Sequence, residues 1–176
     1  MDALTPKNDI NACHIRESPP LTLADGDILM KIDKFSFTAN NKSYAEAGKS
    51  LRYFDFWPSD DETMGRVPVW GLATVVVSRH SQIEVGKRAY GYFPISSYAV
   101  LRPGRVSALG FTDVSAHRAE LPAVYNGLNF CDADPLYVPQ AEDAMLLLRP
   151  LFLTSWLLDD FLEHNQFFGA STVTIV

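Results

Sequence analysis

Val67-Pro68-Val69-Trp70-Gly71-Leu72-Ala73-Thr74-Val75-Val76-Val77 is the stretch on which the fold turns. β-Branched residues crowd it, and their stiff side chains suit a pleated surface better than a helix. Pro68 stands at its start, where a missing N–H costs no ladder bond. The stretch is predicted to be a strand. Upstream, Asp27 to Phe37 passes from an apolar run into apolar–charged alternation, the period of a half-buried strand, and Ala24-Asp25-Gly26 before it reads as a turn. Downstream, Ile83 to Phe93 reads as a turn feeding a strand, and Ser97 to Pro103 as another strand. Short strands in such close succession predict a barrel or sandwich rather than a βαβ series.

The segments between them are less regular. Thr38-Ala39-Asn40-Asn41-Lys42-Ser43-Tyr44 is a polar bend leading into a short helical turn closed by Gly48, and Leu51 to Pro58 is unusually aromatic. Asp60-Asp61-Glu62 reads as an exposed loop. Ala108 to Pro139 carries few periodic apolar runs and is predicted to be a long irregular excursion, the kind of loop that usually serves function or interaction. Beyond Pro150, Phe152, Leu153, Trp156, Leu157 and Phe161 fall at helical spacing, so a helix is expected over 151–164, with Gly169 placed to end it. Ala170 to Val176 then reads as a strand for a sheet interior, which would need partners on both sides. The expectation is an architecture broken off at residue 176, with a β domain over 1–148 and the start of a second domain over 149–176.

Composition removes several function classes. A net charge of −6 with scattered Lys and Arg argues against a nucleic-acid surface. The first eleven residues lack the apolar core of a secretory signal. Met145 to Leu162 is interrupted by Arg149, Asp159 and Asp160, which spoils the roughly 18-residue apolar run of a membrane span. Cys13 and Cys131 lie far apart without CxxC pairing and read as unpaired thiols of a cytoplasmic protein.

A run of motifs carries a resemblance. Pro68-Val69-Trp70-Gly71 ahead of a Val-rich strand, then Val85-Gly86-Lys87-Arg88 ahead of a second strand, resembles the GroES-like catalytic domain of medium-chain dehydrogenase/reductases. That family commonly has Pro-Gly-x-Glu-x-x-Gly followed by Val-Gly-Asp-Arg-Val, so Val69-Trp70-Gly71 and Lys87 are departures. Thr38-Ala39-Asn40-Asn41, Tyr90-Gly91-Tyr92-Phe93-Pro94, His117 to Pro122, Arg149-Pro150-Leu151-Phe152 and Thr154 to Leu162 are similar to a bacterial branch of that superfamily known as a domain of unknown function. The resemblance implies a mainly β fold with some α: a GroES-like, partly open β-barrel, then one helix and the first strand of a truncated Rossmann domain. It implies a metal-free, quinone-oxidoreductase-like enzyme that uses NADP or NAD in its full-length form.

The residues qualify that implication. A catalytic zinc needs about three Cys, His or Glu ligands. Val69-Trp70-Gly71 stands where zinc-using relatives carry Gly-His-Glu, and His14, His80, His117 and His164 are isolated, so no metal is expected. No GxGxxG is present, so this chain alone is expected not to bind NADPH with useful affinity. By resemblance, Asn40, Asn41 and Tyr44 occupy the segment that faces nicotinamide and substrate in zinc-free relatives. A neutral amide or phenol there can stabilise oxyanion character on the substrate, and the plainer alternative is that the asparagines shape a turn. Tyr53, Phe54, Phe56, Trp57 and Trp70 are candidates for an apolar substrate pocket, with core packing as the alternative. His117-Arg118 reads as part of a structural salt bridge or an anion site, and Asp159-Asp160 as the solvated side of the last helix.

Two functions remain from different classes. One is the substrate-side domain of an NAD(P)H-dependent oxidoreductase, inactive as this fragment. The other is a non-catalytic GroES-like binding or assembly module that forms homo-oligomers through its C-terminal strand.

Overall fold

The computed structural model describes residues 1–174. A curled seven-stranded antiparallel sheet dominates it, a half-barrel built from β3 (Ile28–Phe35), β5 (Pro68–Ser78), β6 (Arg88–Pro94), β7 (Tyr98–Leu101), β8 (Pro103–Ser107), β9 (Gly110–Asp113) and β10 (Gly127–Phe130). The order is β7-β3-β5-β6-β10-β9-β8. A smaller three-stranded sheet joins β1 (Asp2–Pro6), β2 (His14–Arg16) and β4 (Met64–Gly65). Two α-helices, α1 (Ala39–Glu46) and α2 (Glu142–His164), and several 3-10 turns complete the chain. The fold is mainly β; of the barrel and sandwich that the strand pattern leaves open, the half-barrel is compatible with the partly open barrel that the resemblance implies.

β5 is the spine. It pairs with β3 on one side and β6 on the other, and Val69, Leu72, Ala73 and Val75 are buried. Register shifts at Leu29/Met30 and Ile32/Lys34 mark irregularities in the β3–β5 ladder, and such bulges increase twist and help the sheet curl. Ile28, Met30, Phe93, Ala99, Leu101, Phe111, Leu128 and Phe130 fill the concave side. Gly110 is required where β9 meets β10: its φ is 153°, and a Cβ would lie 1.9 Å from the Leu128 carbonyl oxygen.

Four sequence expectations need correction. The excursion over 108–139 is not irregular throughout, because β9 and β10 lie within it and extend the sheet beyond β6. Each is four residues long, with Phe111 the one inward apolar residue of β9 and Leu128 and Phe130 those of β10, too brief for alternation to register. Strand structure begins at Asp2, well ahead of the turn at Ala24 before which the sequence predicts no element. β1 is held from outside its own sequence, by Ala3 N–H to the Ile95 carbonyl and by Arg66 on the buried Asp2 at 2.8 Å.

The last helix starts at Glu142, nine residues before the expected Leu151, and runs through Pro150. Proline removes one helical hydrogen bond, and the anchored first turns, with Leu146 buried, carry the helix across that gap. It ends at His164, as expected, and Gly169 instead closes a separate 3-10 turn whose Gln166 to Phe168 have positive φ. Of the strand expected over 170–176, residues 171–174 form no ladder and are exposed, and residues 175–176 lie outside those described. A single extended segment without a neighbouring edge has nothing to satisfy its N–H and C=O groups except water. Among the described residues, no helix is long and apolar enough to cross a membrane.

Candidate functional site

Register fixes the floor of the site. Trp70 on β5 lies opposite Tyr92 on β6, and Leu72 opposite Tyr90, so all four side chains share one face of the sheet. The 3-10 turn Tyr53–Phe56 packs over the Tyr92 end, with the Phe56 ring edge-on to Tyr92 at 5.5 Å. The first turns of α2 cover the other end, where Leu146 packs with Leu72 and Tyr90. A cleft of about 780 Å³ remains between them, larger than the grooves beside Ser96 (about 450 Å³) and Gly86 (about 510 Å³). Tyr44, Trp70, Tyr90, Tyr125 and Asn129 line its sheet side, and Arg149, Phe152, Leu153 and Trp156 its helix side.

α2 is held at this angle by a charged latch. Glu142 is buried and takes Arg88, the Tyr137 hydroxyl at 2.5 Å and Lys34 at 3.2 Å. The Arg88 hydrogen bond is the main cause that pulls its carboxyl down to about 2, against the opposing effect of burial. Further along, the Arg149 guanidinium lies 4.5 Å from the Tyr90 ring centroid and pairs with Asp134 at 2.5 Å, so the one charged side chain among the described lining residues is neutralised. Beyond Pro150 the helix has little cover: Leu151, Phe152, Leu153, Trp156, Leu157, Leu158 and Phe161 are all exposed.

The three residues of the polar bend separate. Asn40 is exposed on the solvent side of α1. Asn41 is buried with its amide engaged at both ends: Oδ1 accepts from the Thr38 backbone N–H at 2.7 Å, and Nδ2 donates to the Pro68 carbonyl at 2.9 Å. This ties the start of α1 to the start of β5. Tyr44 reaches the cleft. Burial raises its phenol above the ordinary range, Trp70 opposes the shift, and Tyr53 adds to it.

The aromatic candidates divide in the same way. Trp70 lines the cleft, and Tyr53 is half-buried behind it with its hydroxyl 3.5 Å from that of Tyr125. Phe56 and Trp57 are core residues, and Phe54 sits in a separate cluster with Ala45 and Val67. Arg118 is sealed against this core, 1% exposed, stacked 4.2 Å over Trp57 and paired with the equally buried Asp113 at 3.1 Å. Its use is the structural salt bridge. His117 hydrogen-bonds the Phe56 carbonyl through Nε2, and burial lowers its pKa, with Arg118 adding to the effect.

Sequence reading missed Tyr90, Tyr125, Asn129 and Arg149 as cleft residues. Tyr90 was detectable in principle, since antiparallel pairing beside Trp70 puts it on the same face. Tyr125 lies on an isolated 3-10 turn with no periodic signal. Cys131 is buried and its thiol is pushed up to about 11 by burial, so it is not an activated nucleophile. Among the described residues, no three His, Cys, Asp or Glu side chains converge as a metal site.

Comparison with protein-family models matches residues 35–176 to the family described as "Protein of unknown function (DUF2855)". The chain belongs to the DUF2855 family. The match runs from the last residue of β3 to beyond α2 and so takes in the cleft from both walls. No curated protein matches this DUF2855 chain.

Proposed function

We propose that this chain supplies the substrate side of a metal-free, NAD(P)H-dependent oxidoreductase of the medium-chain dehydrogenase/reductase type, with residues 1–148 as its GroES-like domain. One observation carries the reading. Two of the motifs behind the resemblance, Thr38–Asn41 and Pro68–Gly71, are joined by the Asn41–Pro68 hydrogen bond, and Tyr44 and Trp70 beside that junction both line the cleft. In this reading Tyr44 is the neutral donor to an oxygen of the substrate, and Asn41 is the positioning residue that fixes α1 against β5. The aromatic floor and the apolar helix wall orient the substrate and exclude water.

The dinucleotide would supply hydride. The described residues do not fit its pyrophosphate: no glycine-rich turn precedes a helix, and α2 opens with Glu142 and Asp143, whose carboxylates oppose phosphate. In this reading the dinucleotide site lies outside the described residues. Residues 149–176 belong, in the same reading, to the dinucleotide-binding domain, and the bare apolar side of α2 is its packing surface. The test is oxidation of NADPH or NADH by the complete gene product against quinones, enones and aldehydes. Turnover with one substrate class, lost on Tyr44→Phe with the circular dichroism spectrum unchanged, is the expected result. No turnover, or turnover indifferent to Tyr44→Phe, overturns the reading.

The exposed face of α2 also favours a second reading, a non-catalytic module that assembles with its own kind. Residues 171–174 form no edge ladder, so α2 would carry that contact. A concentration-dependent dimer dispersed by Leu158→Gln, together with no turnover, is its signature.

A further inference from the structure

We infer that the cleft takes a planar, uncharged aromatic compound bearing a carbonyl or hydroxyl oxygen, laid against Trp70 and Tyr125. The inference rests on the reading of the cleft as a substrate site and names the substrate class. Trp70 and Tyr90 are stacked, 8° apart with centroids 5.4 Å apart, so Tyr90, itself covered by the Arg149 guanidinium, props the Trp70 ring that lines the cleft. Tyr125 stands beside Trp70 at 5.9 Å and 38°, a second aromatic surface inclined over the first. Aromatic rings gain from offset or inclined contact with other rings beyond the area they bury, so this geometry rewards a flat π ligand over a saturated one of equal size. The volume is within the ordinary range for small-molecule sites.

The wall offers no free charge. Arg149 is the one formally charged residue among the described lining residues, and its guanidinium is committed to Asp134 and the Tyr90 face. An anionic ligand would find no counter-ion and would lose its hydration. The polar groups are neutral instead: the Tyr44 and Tyr125 phenols, and the exposed Asn129 amide, at the same cleft.

Three probes test this on the full chain, by tryptophan fluorescence and calorimetry without any nicotinamide: naphthol, its saturated analogue decahydronaphthol, and naphthalenesulfonate. Naphthol is expected to bind at least about tenfold more tightly than either of the others, and Trp70→Leu to weaken it about tenfold, the scale of a lost aromatic contact plus its area. Leu158→Gln, on the bare helix outside the cleft, leaves naphthol binding unchanged. Equal binding of the three probes, no binding of naphthol, indifference to Trp70→Leu, or loss on Leu158→Gln each overturns the inference. Naphthol preference without any reductase turnover retains the ligand class and removes the oxidoreductase reading. Turnover on saturated aldehydes without that preference does the reverse.

Discussion

Two halves of one aromatic cluster meet at Tyr92 and behave differently. Behind it, Phe56 and Trp57 are sealed, with Arg118 and Asp113 buried among them at 1% exposure each. In front of it, Tyr44, Tyr53, Trp70 and Tyr125 are half-buried, and all but Tyr53 line an open cleft. Composition does not separate the halves, since both are aromatic and both include polar atoms. Closure separates them. The 3-10 turn Tyr53–Phe56 lies over one end of the β5–β6 face, whereas α2 touches the other end with its first turns and then leaves a gap. The lesson is that an aromatic residue is core or site according to what the backbone places above it.

The largest effect should come from the sealed half. Arg118→Met strands the Asp113 carboxylate in the interior and should cost about 3–5 kcal/mol of stability by urea denaturation. A loss under about 1 kcal/mol would mean that the pair is hydrated, and the contrast between the halves would collapse. Phe56→Ala should cost about 3 kcal/mol by the same measurement, the ordinary penalty for emptying a filled aromatic position. Trp70→Leu, in the open half, should cost about 1 kcal/mol or less, because part of its surface is already in water. Equal losses at Phe56 and Trp70 would erase the distinction between core and site.

The latch sharpens the comparison by changing one wall alone. Glu142→Gln should cost about 2 kcal/mol, as expected for charge-assisted hydrogen bonds lost at a largely buried site. Its pH dependence has a definite sign. The folded carboxyl is depressed from 4.5 to about 2, so its contribution is complete above the ordinary glutamate value and is lost as pH falls from 4.5 towards 2. Wild type should lose stability over that acid interval relative to Glu142→Gln, read as converging denaturation midpoints. The smallest effect belongs to Leu158→Gln, within about 0.5 kcal/mol, because the side chain is already 56% exposed.

Much of the sheet was legible. β3, β5, β6 and β7 fall within a residue or two of the stretches read from alternation and β-branching, because each holds enough inward residues to establish a period. β1, β9 and β10 were not: β1 is pinned to β4 and β10 to β6, partners remote in sequence, and β9 joins the sheet through β10. α2 was legible as a helix from its apolar spacing, but its start was not, since Pro150 is a local stop signal that the Glu142 latch and Leu146 override. At the site, Tyr44 and Trp70 were named on their motifs, and both line the cleft. Asn41 was named on the same ground, but its amide is committed to backbone, which a residue type cannot reveal.

By itself the sequence determined that this protein is mainly β, which segments supply the central strands, and that a phenol, two amides and several aromatics cluster near two short motifs. Those are consequences of local periodicity and side-chain chemistry, which neighbouring residues dictate. Only the tertiary structure decided which aromatics are sealed, that Arg118 is spent on Asp113, and that α2 stands clear of the sheet to leave a cleft. Burial and partnership are properties of distance between elements far apart in the chain, and no local pattern encodes that distance.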